Sequence, residues 1–161
     1  AAGMLFVGGF PRRNDPVGRA AAQRAIFHVQ RELEQLARDE QHAPTILCDR
    51  GSLDALAYWP YDHPSFFDQL RTTRADELAR YSTVIHLRTP SVAHGYNNQN
   101  PVRIETPEQA HLLDRAIERA WEGHPHRHFI DCQEDFLLKL NLTVRLLREE
   151  IAGRCVQESR G

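Results

Sequence analysis

Three short segments with strand character, separated by stretches with helical periodicity, constrain the fold of this chain more than any other feature. They cover residues 45–48, 83–87 and 127–130. The first is a short apolar run, which is typical of a strand that is covered on both faces. Around them, apolar residues recur at steps of three and four, which predicts long helices over residues 19–39, 107–121 and 136–152. Strands that alternate with helices predict an α/β fold with a parallel sheet.

Capping signals predict the ends of further helices. Ser52 is a favourable N-cap and predicts a short helix that ends at Ala57. Another helical segment is expected within residues 64–81. Thr106 is followed by Pro107, and proline is favoured at the first position of a helix. These signals place helices on either side of each predicted strand.

The composition indicates an ordinary globular protein. With 161 residues, 41% of them hydrophobic and 26% charged, the chain is expected to form a single domain over residues 1–161. No segment approaches the run of about 18 apolar residues that a membrane helix needs, and the N-terminal residues lack the positive region of a signal peptide. We therefore expect a protein that does not contact a membrane.

The net charge and the cysteine content argue against a nucleic-acid-binding protein and against a disulfide-stabilised protein. The net charge of −2 leaves no basic footprint for nucleic acid. The cysteines Cys48, Cys132 and Cys155 are odd in number and far apart, which argues against a disulfide framework and favours the reducing cytoplasm. Cys48 itself is expected to be a small buried residue at a strand end.

The segment around Asp49 and Arg50 carries the clearest chemical signal. Both residues follow the first predicted strand, and ligands of parallel sheets bind beyond the carboxyl ends of the strands. The carboxylate can hold a Mg²⁺-bound water or accept a proton, and the guanidinium can bind phosphate oxygens. Gly51 lets the backbone turn close to a ligand. The alternative is a structural ion pair that caps a helix.

The longer string over residues 46–58 resembles the Asp-Arg motif of thymidylate kinase and deoxynucleoside kinase-type P-loop enzymes. It is most similar to the NadR-like AAA group, in which a strand leads into Asp-Arg-Gly, then Asp-Ala and a tyrosine. Residues 95–105 are similar to the lid of that group, and residues 79–81 also fit. The resemblance covers the chain from about Leu5 to the last helix. It implies a P-loop NTPase-like three-layer sandwich with ATP and Mg²⁺ as cofactors.

The resemblance implies roles near the Asp-Arg motif for four residues. Asp49 would serve the metal or act as the base, and Arg50 would contact substrate phosphate, so both would be catalytic. Asp54 and Tyr58 would bind substrate.

The resemblance also implies nucleotide contacts later in the chain. Arg103 would close over the ATP phosphates from a lid-like loop at about residues 92–106. Gln133 and Phe136 lie where such kinases often pass the adenine ring. For Arg103, a solvated loop arginine is the alternative.

The chain departs from the P-loop pattern at one important point. No segment reads GxxxxGK[ST], the motif whose backbone cradles phosphates, and the glycine-containing residues 8–13 lack its Lys-Ser/Thr pair. We expect that the first strand, the P-loop and the first helix are absent from these residues, through truncation rather than natural loss.

Two weaker signals of function each have a simpler structural explanation. His126 and His128 would share one strand face and suit a metal, but a polar strand entry is the simpler explanation. A loose basic group could meet substrate phosphate, although a solvated helix face is favoured. Its members are Arg71, Arg74, Arg80 and Arg88.

The functional expectation is an ATP-binding kinase-like domain that transfers the γ-phosphoryl group to a nucleotide- or nucleoside-like small molecule. The alternative is a non-catalytic nucleotide-binding regulatory or adaptor module, and a fragment without activity of its own is a third option. The expected partner is the small-molecule acceptor, and a homodimer is left open.

Overall fold

The computed structural model describes residues 1–40, 45–89, 106–131 and 135–158. The chain divides into two compact units. Unit 1 comprises Ala1–Arg80 and Arg119–Glu122, and unit 2 comprises Tyr81–Glu118 and Gly123–Gly161. The expectation of a single domain stays a prediction. Among the described residues, no helix combines the length and the apolar character that crossing a membrane requires.

Unit 1 is helical in its described part. Its helices are α1 (Ala2–Val7), α2 (Pro16–Asp39), α3 (Asp54–Ala57), α4 (Phe66–Leu70) and α5 (Arg74–Ala79). The predicted long helix is confirmed but begins earlier, at Pro16. Asp15 caps it, because its carboxylate accepts the Gly18 N–H at 2.9 Å while Pro16 occupies the first turn.

Aromatic residues form the core of unit 1. Phe66 makes edge-to-face contacts with Phe27 and Trp59, with ring centroids 5.9 and 5.3 Å apart. Ala20 and Ala55 are buried in the same cluster and bring α2 and α3 close together. Edge-to-face geometry is favourable for aromatic pairs beyond the area that they bury. This core holds α3, and with it the segment that follows Asp49 and Arg50.

Unit 2 contains a parallel strand pair, formed by β1 (Val84–Leu87) and β2 (Arg127–Ile130). The register places Val84 opposite Arg127 and Leu87 opposite Ile130. The helices α6 (Pro107–Ala120) and α7 (Phe136–Glu158) follow the two strands in sequence. The predictions of strands at 83–87 and 127–130 are therefore confirmed to within a residue, and so is their parallel pairing.

The predicted N-cap of α6 is confirmed. Thr106 and Gln109 form a reciprocal capping box, in which the Gln109 N–H donates to Thr106 Oγ1 at 3.3 Å and the Thr106 N–H donates to Gln109 Oε1 at 2.9 Å.

The prediction of a strand at residues 45–48 was wrong. This segment has neither helical nor strand structure, and Ile46 and Leu47 are 37% and 67% exposed. A strand exists through hydrogen bonds to a neighbour, and within the described residues the only strand pair is β1 with β2. Apolar composition alone therefore did not suffice to make this run a strand.

Candidate functional site

The Asp49–Arg50 pair lies on an exposed turn whose far side is buried. Asp49 and Arg50 are exposed, Gly51 is half-buried, and the next two residues, Ser52 and Leu53, are 1% and 0% exposed. The chain thus passes from the solvent-exposed surface into the core within a few residues. The two charged side chains are therefore exposed to solvent next to a backbone segment that is buried at Ser52 and Leu53.

A short chain of polar contacts holds Arg50. Its Nη1 donates to Asp54 Oδ2 at 3.2 Å, and Asp54 Oδ1 accepts the indole N–H of Trp121 at 2.7 Å. Arg50 is 57% exposed in its side chain and Asp54 is 14% exposed. Burial tends to lower the pKa of Arg50, but the charge of Asp54, the charge of Tyr58 and the hydrogen bond to Asp54 outweigh it and raise the pKa. The guanidinium therefore keeps its charge and a preferred orientation.

The structure places the two predicted substrate-binding residues on α3 or beside it. Asp54 opens α3, and both of its carboxylate oxygens accept hydrogen bonds from protein side chains. Tyr58 follows the end of α3, and its carbonyl accepts a hydrogen bond from Arg19 Nη2 at 2.9 Å. Substrate binding by either residue stays a prediction.

Asp49 and Arg50 line one end of a groove of about 270 Å³ in unit 1. One wall belongs to α2 and includes Leu33 and the buried Glu34. The other wall is formed by residues 46–50. The groove thus combines apolar surface with two carboxylates, of Glu34 and Asp49, and the guanidinium of Arg50, which is the group that can bind the phosphate of a small ligand.

Cys48 lies in the same groove but is exposed, so the prediction of a buried residue there was wrong. The reason is that the segment 45–48 is not covered as a central strand would be. Partial burial of the thiol and the charge of Glu34 raise its pKa, against the opposing charges of Arg38 and Arg80. A raised pKa keeps the thiol protonated and makes it a poor nucleophile.

A buried carboxylate beneath this turn escaped the sequence analysis. Glu77 of α5 is 0% exposed. Its Oε2 accepts the hydroxyl of Ser52 at 2.6 Å, while its Oε1 accepts the hydroxyl of Thr72 at 2.7 Å and Arg31 Nη1 at 3.0 Å. Arg80 Nε lies 3.5 Å from Oε2. The predicted N-cap role of Ser52 was wrong, because α3 begins later, after Leu53, and the Ser52 side chain turns inward to Glu77.

Unit 2 contains a second polar cluster, centred on Asp114 of α6. Asp114 Oδ1 lies 3.0 Å from His86 Nε2 and accepts the N–H and the hydroxyl of Thr89, each at 3.2 Å. Arg88 Nη1 lies 3.4 Å from Asp114 Oδ2 and also binds Glu118. Burial tends to raise the pKa of Asp114, but its contacts with His86 and Thr89 outweigh this and lower the pKa.

Most of the loose basic group makes internal contacts. Arg80 pairs with Glu34 at 2.7 Å, and Arg88 pairs with Asp114 and Glu118. Arg74 Nη1 donates to the carbonyls of Arg119 and Ala120, and Arg71 is exposed at the end of α4. The favoured interpretation of a solvated helix face therefore fails for Arg74, Arg80 and Arg88.

The predicted nucleotide contacts are described only in part. Arg103 and Gln133 lie outside the described residues, as do residues 92–105 of the lid-like loop. Phe136 begins α7. The roles proposed for these three residues therefore stay predictions.

The histidine-rich segment does not form a metal centre in the described part of the chain. His124 Nε2 lies 2.7 Å from the carbonyl oxygen of Tyr81, and His128 Nε2 lies 3.1 Å from Glu150 Oε1. The residues that the structure describes contain no group of three or more His, Cys, Asp or Glu side chains that could hold a metal ion. His124 and His128 thus have structural partners.

A parallel strand pair in unit 2, helices in both units, and an exposed Asp-Arg turn beside a groove in unit 1 define an α/β protein with a candidate phosphate site. A family model described as "AAA domain" matches residues 7–136, which is most of the chain. The chain therefore belongs to the AAA domain family of P-loop NTPase-like, nucleotide-binding proteins. Neither the comparison with curated proteins nor that with solved structures gives a match. The matched residues include the Asp49–Arg50 turn, α3 and most of the residues that line the groove.

Proposed function

We propose that this AAA domain binds Mg·ATP and transfers the γ-phosphoryl group to a nucleotide- or nucleoside-like small molecule. The observation that supports this most is the pairing of an exposed carboxylate with an oriented guanidinium on the rim of one groove. Asp49 can accept the proton of an attacking hydroxyl, and Arg50 can bind phosphate oxygens and offset charge in the transition state. Membership of the AAA domain family supports nucleotide binding. Transfer of the phosphoryl group goes beyond what that membership supports and rests on the chemistry of Asp49 and Arg50.

Arg50 is suited to this role because its orientation is set before a ligand arrives. Asp54 holds Nη1, and Trp121 in turn holds Asp54. A guanidinium has five N–H donors in a planar fork, so a contact through Nη1 leaves others for a phosphate. Preorganised charge of this kind stabilises a transition state without reorganisation during the reaction.

The residues present also fit a magnesium ion. Mg²⁺ is usually held by one or two carboxylates together with waters and substrate phosphates, so a single exposed Asp49 is a suitable ligand. When bound, the ion would neutralise negative charge on the ATP phosphates. Because the 161 residues contain no GxxxxGK[ST] motif, we propose that the main phosphate cradle comes from sequence outside them. Arg103, Gln133 and Phe136 remain our candidates for contacts with the nucleotide.

The second candidate is a regulatory or adaptor module that binds nucleotide without transferring phosphate. Membership of the AAA domain family supports nucleotide binding equally in both cases. The two candidates differ in what Asp49 does. In an enzyme its loss removes turnover, whereas in a binding module there is no turnover to lose.

Calorimetry with Mg·ATP tests the proposal. The protein would be residues 1–161 and, separately, the full reading frame that contains them, each as wild type, Asp49→Ala and Asp62→Ala. Asp62 is another exposed aspartate of unit 1 and controls for the loss of a surface charge. We expect Mg·ATP binding by the longer protein, with affinity little changed by either substitution. Phosphoryl transfer should fall by at least about 100-fold in Asp49→Ala and stay unchanged in Asp62→Ala.

Each alternative result has a distinct meaning. Micromolar binding of Mg·ATP by residues 1–161 alone would disprove the proposal that the main phosphate-binding segment lies outside these residues. Binding by neither protein would disprove nucleotide binding. Tight binding with no transfer to any nucleoside or nucleotide acceptor would favour the regulatory module.

A further inference from the structure

The hydroxyl of Ser52 connects the Asp49–Arg50 turn to a buried carboxylate of unit 1. Ser52 is 1% exposed, and its Oγ donates to Glu77 Oε2 at 2.6 Å. Between Ser52 and Arg50 stands only Gly51, and glycine restricts the backbone less than any other residue. Because Gly51 adds little stiffness of its own, the backbone that carries the two charged residues depends in part on how firmly Ser52 is held, in addition to the contact of Arg50 with Asp54.

Glu77 is well suited to hold it, because other groups fix the carboxylate on both sides. Oε1 accepts Thr72 Oγ1 at 2.7 Å and Arg31 Nη1 at 3.0 Å, and Arg80 Nε lies 3.5 Å from Oε2. Arg31 is on α2, which also forms a wall of the groove. The anchor of the turn and the groove wall are therefore connected through one buried carboxylate.

Such a network is a costly way to stabilise a fold. Removing a carboxylate and guanidinium groups from water carries a penalty that their attraction often does no more than offset, and apolar residues of similar size frequently stabilise as well. What the network provides instead is a defined geometry. A geometric role is the most direct reason for a fully buried carboxylate under an exposed, charged turn.

We propose that Ser52 and Glu77 are positioning residues, which fix the direction of the Asp49 carboxylate and the Arg50 guanidinium toward bound Mg·ATP and its acceptor. This inference rests on the proposed function. Neither residue touches the ligand; both act through the turn. Groups that orient catalytic residues in this way commonly affect activity by about 10-fold to 100-fold.

Two substitutions that each delete one hydroxyl distinguish a positioning role from a purely stabilising role. Ser52→Ala and Thr72→Val each remove one hydroxyl donor to the same carboxylate, at nearly the same distance. Only Ser52 is connected to the Asp49–Arg50 turn. In the full-length protein, we expect both to lower the melting temperature. Only Ser52→Ala should lower kcat for Mg·ATP turnover, by about 10-fold or more, with KM for ATP within about two-fold of wild type.

A second measurement does not depend on activity. Amide hydrogen exchange at residues 49–52 should become faster in Ser52→Ala and stay unchanged in Thr72→Val. If Ser52→Ala does not fold, Ser52→Cys replaces it, because a thiol has a similar size but is a weak donor.

The outcomes distinguish the two proposals. Equal losses of kcat in both variants, or none in either, would overturn the positioning role and leave a purely structural network. If the wild-type protein does not turn over ATP, the proposed function fails, and hydrogen exchange alone decides the anchor. Faster exchange at 49–52 in Ser52→Ala alone would then support it, and any other pattern would overturn it.

Discussion

Each of the two units contains a buried carboxylate at the centre of a polar cluster, Glu77 in unit 1 and Asp114 in unit 2, and the partners of these two carboxylates differ in kind. In unit 1, Glu77 is contacted by two guanidinium groups and two hydroxyls and has 0% exposure. In unit 2, Asp114 is contacted by His86, by Thr89 and, at 3.4 Å, by Arg88, and it is 9% exposed. The Glu77 cluster thus includes two guanidinium groups, whereas the Asp114 cluster combines one guanidinium with an imidazole.

This difference indicates what each cluster can tolerate. Arginine stays protonated in proteins, so loss of the Glu77 carboxylate leaves positive charge with no way to neutralise itself. In the other cluster Arg88 keeps its contact with Glu118 when Asp114 loses its charge. Removing Glu77 should therefore cost more than removing the charge of Asp114.

The largest expected effect is that of Glu77→Ala. The substitution removes the partner of Arg31, one partner of Arg80 and the carboxylate that accepts the hydroxyls of Ser52 and Thr72. We expect the free energy of unfolding to fall by about 3–5 kcal/mol, measured by urea titration.

Glu149→Ala provides the control, because Glu149 pairs with Arg145 but is 60% exposed in its side chain. That change should cost below about 1 kcal/mol. Similar losses for Glu77→Ala and Glu149→Ala would mean that the buried network contributes little and that the contrast between the two units is not energetic.

The second effect is that of Asp114→Asn. Asparagine preserves the shape of the side chain but not the charge that faces His86 and Arg88. A hydrogen bond that involves a charged group contributes about 1.5–3 kcal/mol, so we expect a loss of that size at neutral pH, smaller than the loss in Glu77→Ala.

The pH dependence of this loss follows from the lowered pKa of Asp114. A carboxyl group whose folded pKa lies below its unfolded value adds stability above the unfolded pKa, and this stability disappears as the pH falls through the folded pKa. The difference between wild type and Asp114→Asn should therefore be constant near neutral pH and shrink below about pH 4, since the ordinary value is 3.8. A difference that grows on acidification would contradict this assignment.

The strands show how far the sequence alone predicts this fold. Residues 45–48 and 84–87 are both short apolar runs, yet only the second is a strand, because β2 pairs with it. Periodicity reports which residues prefer burial, whereas strand formation also needs a neighbour that the pattern does not specify. Long helices such as α2 depend mainly on their own periodicity and caps, and they were predicted to within a few residues.

The residues of the candidate site also differ in whether the sequence alone could identify them. Asp49 and Arg50 could be found because their chemistry is carried by adjacent residues. Ser52 and Glu77 are 25 positions apart, and Arg31 and Glu77 are 46 apart, so no local pattern connects them. In the sequence, Glu77 reads as an ordinary charged residue on an exposed helix face. Its burial could be known only from the fold.

The smallest expected effects come from one threonine in each cluster and test the contrast most finely. Thr72 donates to Glu77 at 2.7 Å, whereas Thr89 Oγ1 lies 3.2 Å from Asp114 Oδ1. Asp114 also keeps the backbone N–H of Thr89 when the hydroxyl is removed, because substitution of the side chain leaves the main chain intact. We expect Thr72→Val to cost about 1.5 kcal/mol and Thr89→Val about 0.5 kcal/mol in urea unfolding. The reverse order would mean that the Asp114 cluster depends more on its neutral donors than its His86 and Arg88 contacts suggest, and that charged partners do not set the ranking of the two units.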